Sequence, residues 1–97
     1  MISKKIIKRE IDRWDPEGFF PWAPEDEYSI EIDDIHNRLK SYKDYRLDEI
    51  TVAKVISSVF VQWLNHDMFT HRRDFSECIG VSRKILKTWR RESVGKN

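Results

Sequence analysis

A chain of 97 residues with a formal net charge of +1 is the size of one domain, expected to span residues 1–97, and its balanced charge argues against nucleic acid or a membrane surface as partner. The single cysteine, Cys78, excludes an internal disulfide framework. No apolar run approaches the ~18–20 residues of a membrane span, and no signal-type apolar core follows the basic N-terminus, so a soluble cytoplasmic protein is expected.

Residues 2–14 predict a first helix. Ile2, Ile6, Ile7, Ile11 and Trp14 recur at helical spacing, Lys4, Lys5, Lys8, Arg9 and Asp12 fill the other face, and Ser3 is placed to cap it. Pro16 stops the helix, because a proline disfavours helical geometry at the residue before it and has no N–H to donate. Asp15-Pro16-Glu17-Gly18 then has β-turn chemistry. The stretch from Trp14 to Tyr28 holds all three prolines and Phe19, Phe20 and Trp22. It predicts an aromatic, proline-rich loop that lies over one end of the core.

A second helix is predicted from Ser29 to Tyr42 on the 3–4–3 spacing of Ile32, Ile35, Leu39 and Tyr42, with Tyr28 and Ile30 beside the stripe. Glu31, Asp33 and Asp34 near its start and Arg38 and Lys40 near its end suit the helix dipole. After a polar connection at 43–47, Asp48 caps a third helix over 49–65. Its inner face reads Leu47, Ile50, Ala53, Ile56, Phe60, Trp63 and Leu64, widened by Val52, Val55 and Val59. A fourth helix, capped by Thr70 or Asp74, reaches Arg91 with Phe75, Cys78, Ile79, Ile85, Leu86 and Trp89 inside; the tail after Glu92 should fray. Gly80 within it marks either a close helix contact or a bend. The predicted fold is all-α, a small four-helix bundle with the aromatic loop between helices 1 and 2.

Charge is unevenly distributed. Residues 15–34 carry Asp15, Glu17, Glu25, Asp26, Glu27, Glu31, Asp33 and Asp34 and no Lys or Arg, whereas residues 72–97 are rich in Arg and Lys. The plainest expectation is two solvated faces that attract one another within the fold. Asp33 with His36, and His66 with Asp67 and His71, match no specific metal signature, so no metal is expected. Cys78 sits on an apolar stripe, where a thiol acts as a small hydrophobe rather than a nucleophile. Three glycines build no phosphate-cradling loop, and no cofactor or catalytic residue is assigned. Arg83, Lys84, Lys87, Arg90 and Arg91 on the last helix would suit nucleic acid only in a more basic domain.

Trp14-Asp15-Pro16, Gly18, Ala23-Pro24-Glu25-Asp26-Glu27-Tyr28 and the following isoleucines, with Val59-Phe60, Phe69, Glu77-Cys78 and Ile85-Leu86 further on, resemble a family of short, mostly Gram-positive bacterial proteins known as domain of unknown function 1871. The resemblance covers most of the chain; Glu17 departs from the aliphatic residue expected there. It implies a small, all-helical cytoplasmic protein and supplies no catalytic residues. Taken together, the residues point to a non-enzymatic protein-interaction module for an unidentified protein partner. Trp22, Glu25, Asp26 and Glu27 are the candidate contact residues, and a homodimer is compatible with this reading. A bacterial immunity protein or antitoxin is the alternative by analogy of size and style, and nucleic-acid binding through the basic C-terminal helix is a second alternative.

Overall fold

Each helix among the described residues makes its main contacts with two neighbours. A computed structural model describes residues 1–16, 26–63 and 75–95. Within them the order is α1 (Lys4–Trp14), α2 (Ser29–Leu39), a 3-10 turn (Asp44–Arg46), α3 (Glu49–Trp63) and α4 (Phe75–Gly95). Helix α1 packs on α2 and α4, and α3 packs on the same two, so α2 and α4 stand at opposite corners. The protein is an all-α small bundle, and no strand occurs among the described residues. The loop expected to cover one end, residues 17–25 of the Trp14–Tyr28 stretch, lies outside the described residues.

Helix α1 begins as its sequence dictates. The Ser3 hydroxyl accepts from the Ile6 N–H at 3.3 Å, satisfying one of the donors that a helix start leaves free. At the other end Asp15 turns into the left-handed region (φ 46°, ψ 63°) while its N–H still donates to the Ile11 carbonyl at 2.9 Å. Pro16 behind it is buried. An aspartate tolerates this conformation better than most side chains because it can bond locally. Here the bond is to Tyr28, whose hydroxyl donates to Asp15 Oδ1 at 2.6 Å, tying the end of α1 to the start of α2.

Helix α2 ends at Leu39 rather than at Tyr42. The Ser41 hydroxyl donates to the Arg38 carbonyl at 2.7 Å, and the Ser41 and Tyr42 N–H groups reach back three residues instead of four. Tightening to three-residue bonds is how a last helical turn closes. Tyr42 is thereby carried off the stripe into solvent. Within the 43–47 connection the 3-10 turn leads to Leu47, which is buried although it precedes α3. Asp48 caps α3 as expected, with Oδ1 2.8 Å from the Thr51 N–H.

The buried arc of α3 is Val52, Ala53, Val55, Ile56, Val59 and Phe60, so the valines form its centre rather than its margin. Ile50 falls outside that arc and is exposed. Trp63 is 48% exposed because its indole reaches across to α2, where Nε1 donates to Asp34 Oδ2 at 2.8 Å. Leu64, Thr70 and Asp74 lie outside the described residues. Phe60 is the centre of the aromatic packing: the rings of Trp14 and Tyr28 meet it edge-on at centroid distances of 5.5 and 6.0 Å, a geometry that aromatic quadrupoles favour.

Helix α4 runs to Gly95, beyond Arg91 and into the tail expected to fray, whose last two residues lie outside the described ones. Cys78, Val81, Ser82, Ile85 and Leu86 are buried, whereas Phe75, at the helix start, is exposed. The Ser82 hydroxyl, 2.8 Å from the Glu49 carbonyl and 2.9 Å from that of Ile79, sits where two helices approach. Gly80 makes no close helix contact among the described residues. A Cβ built on it meets no described atom within 4 Å, and the helix is continuous through it.

Candidate interaction site

Of the four residues expected to meet a partner, Trp22 and Glu25 lie outside the described residues. Asp26 and Glu27 form the turn that enters α2 and are exposed. They do not cap the helix through their side chains. Tyr28 occupies the cap position with no side-chain cap bond, and the Ser29 N–H donates to the Asp26 carbonyl at 3.0 Å. Ile30, 56% exposed, follows on the same turn, so this corner joins carboxylates to an apolar side chain.

The acidic corner is internally structured. Asp34 receives Arg38 Nε at 2.9 Å and the Trp63 indole, and these two bonds hold its carboxyl below the usual aspartate range. Glu31 is buried among the described residues, and that burial, helped by the nearby charge of Glu27, pushes its carboxyl up. Lys4 of α1 pairs with Asp33 at 2.7 Å. His36, partly covered and facing Lys40 and Lys4, is pushed down, burial being the largest cause. Among the described residues no group of three or more His, Cys, Asp or Glu side chains is arranged to hold a metal ion. Cys78 is buried.

Among the described residues the acidic and basic segments form no direct ion pair between α2 and α4, because the two helices stand at opposite corners. The α2 acids are met by α1 and by their own helix. The α4 bases look instead towards α3 and the 3-10 turn. Arg83 pairs with Glu49, Nε to Oε2 at 3.1 Å, which lowers the Glu49 carboxyl and raises the guanidinium. Arg90 Nη2 donates to the Leu47 carbonyl at 3.3 Å.

Beside these contacts runs a trough that the sequence did not single out. Its middle part, about 520 Å³, is lined by Asp44, Tyr45, Leu47, Trp89, Arg90 and Ser93. It meets a second depression of about 480 Å³ at Arg90, where Lys87 and Arg83 also lie. A smaller one of about 270 Å³ joins it at Asp44, Trp89 and Ser93 and extends to Met1. Tyr45, on the 3-10 turn, is 84% exposed; Trp89 is partly buried, with its inner side against the core. The sequence signal was a tyrosine placed in an otherwise polar connection.

Compared with protein-family models, curated proteins and solved structures, the chain finds no match in any of the three. No helix among the described residues is long and apolar enough to cross a membrane.

Proposed function

We propose that the protein is a non-enzymatic interaction module of the bacterial cytoplasm, acting by binding a protein partner. The observation that carries this reading is the placement of opposite charges on opposite corners, each beside exposed apolar side chains: Ile30 with Asp26 and Glu27, and Tyr45 with Lys87 and Arg90. Charges that neutralise one another inside a fold serve stability; charges held apart and next to exposed aromatic surface suit recognition. We also propose kinship with the family of unknown function that the chain resembles. In support, three residues of the resembling motif, Trp14, Asp15 and Tyr28, act together: Asp15 binds Tyr28, and both rings pack on Phe60.

Affinity capture from a bacterial extract tests the module reading with two variants, Asp26→Lys/Glu27→Lys and Tyr45→Ala/Lys87→Glu. All four residues are exposed, so both variants should keep the helical circular dichroism and the unfolding transition of the parent. A partner lost with one of them identifies the working corner. Unchanged capture with both folded variants, or no partner captured by the parent, overturns the reading.

A further inference from the structure

The trough along α4 narrows the partner chemistry, an inference that rests on the interaction-module reading. Four carboxylates border the trough and its two extensions, and each is already engaged. Asp44 takes the amino group of Met1 at 2.9 Å. Asp48 holds the Thr51 N–H at the start of α3. Glu49 is paired with Arg83, and Glu92 faces Arg9 at 3.9 Å. Two of the cations there, Lys87 and Arg90, have no carboxylate within ion-pair distance among the described residues, and the Arg90 guanidinium spends only one bond on a backbone carbonyl. Lys87 and Arg90 are therefore the cations here that no described carboxylate pairs at close range, and the Arg90 charge also reaches Glu49. Beside them stand an almost fully exposed phenol ring, Tyr45, and the outer edge of the Trp89 indole. Aromatic rings next to these cations give a contact that is apolar at its centre and charged at its rim.

We propose that this trough binds a short, acidic segment of a protein partner, whose carboxylates meet Lys87 and Arg90 and whose aromatic or aliphatic side chain lies between Tyr45 and Trp89. Charge complementarity selects this occupant. A long polyanion such as nucleic acid calls for a broader basic surface than Lys87 and Arg90 in a chain of net charge +1 supply, whereas a peptide carries a few carboxylates at intervals and an apolar side chain between them. An open groove bounded by helix and turn also fits an extended chain better than a folded surface.

Fluorescence anisotropy with a fluorescein-labelled ten-residue peptide of Glu and Asp around a central Phe tests this, with poly-glutamate and a twelve-nucleotide single-stranded DNA as comparators and amide chemical shifts to locate binding. The expected result is binding of the Phe-containing peptide that weakens as salt rises. Shifts should fall on residues 44–49 and 83–93. Poly-glutamate should bind at least tenfold more weakly, and DNA more weakly than the peptide. Lys87→Glu should reduce affinity at least tenfold, and Tyr45→Ala about tenfold, with unfolding transitions unchanged. The inference is overturned by no binding at millimolar peptide, by shifts elsewhere, by tighter binding of DNA, or by binding unaffected in Lys87→Glu. It is overturned equally if sedimentation shows that a second copy of the chain occupies the trough. If the peptide fails while a captured partner still depends on Tyr45 and Lys87, the peptide chemistry falls and the module reading stands. If capture depends on neither corner, the module reading falls by itself.

Discussion

Replacing Gly80 with alanine should make the protein more stable, and the size of the gain can be worked out. Glycine in a helix interior costs about 0.8–1.0 kcal/mol against alanine, because it has more backbone freedom to lose on folding. That gain is normally offset where the glycine lets another element approach. Here a Cβ at Gly80 meets no described atom within 4 Å, and the residue is the sixth of α4, away from either end. Nothing among the described residues opposes the propensity term, so about 1 kcal/mol should appear in full. For a chain of this length the unfolding entropy is about 0.2 kcal/mol/K, which converts the gain to roughly 5 °C in Tm. In urea the midpoint should rise by roughly 0.5–1 M with the slope unchanged. Thermal and urea melts followed by circular dichroism at 222 nm are sufficient. A Tm that is unchanged or lower would mean that the added methyl group meets a surface close to α4.

Two further outcomes follow from particular bonds. Tyr28→Phe removes the hydroxyl that donates to Asp15 at 2.6 Å but leaves the ring against Phe60. Bonds to charged groups contribute about 1.5–3 kcal/mol, so urea melts should show a loss in that range; a loss below about 0.5 kcal/mol would contradict the account of how α1 and α2 are tied. Glu31→Gln should stabilise the chain at pH 7. Burial raises the Glu31 carboxyl above its ordinary value of 4.5, so the folded state holds that proton more tightly than the unfolded one. Its contribution is therefore favourable below pH 4.5 and turns unfavourable as the pH rises from there through the higher folded value. Glutamine removes the penalty, and its advantage at pH 7 should vanish near pH 4. A Glu31→Gln variant that is less stable at pH 7 would reverse the assignment.

The helices were legible because their apolar residues repeat at helical spacing and their starts are chemically marked, at Ser3 and at Asp48. Less legible was where a helix ends without proline. Ser41 terminates α2 through a hydroxyl bond to the Arg38 carbonyl, a local competition that hydrophobic periodicity does not register. Trp63 was misplaced for a related reason. An indole suits a core by size, but its N–H found Asp34 across the helix pair and carried the ring outward. Of the candidate site, Asp26 and Glu27 lie exposed at the entry to α2, while the trough went unread because its two groups of residues lie more than forty positions apart in sequence. Only packing brings Tyr45 beside Trp89.

Holding acids on α2 and bases on α4 at diagonal corners also bears on encounter rates. Among the described residues this separation gives the charge distribution a direction that the net charge of +1 does not show. In the field of a charged partner the molecule experiences a torque, so that it turns the complementary corner forward before any atoms touch. Added salt should then slow association far more than it hastens dissociation, since screening acts on the approach while close contacts set the lifetime.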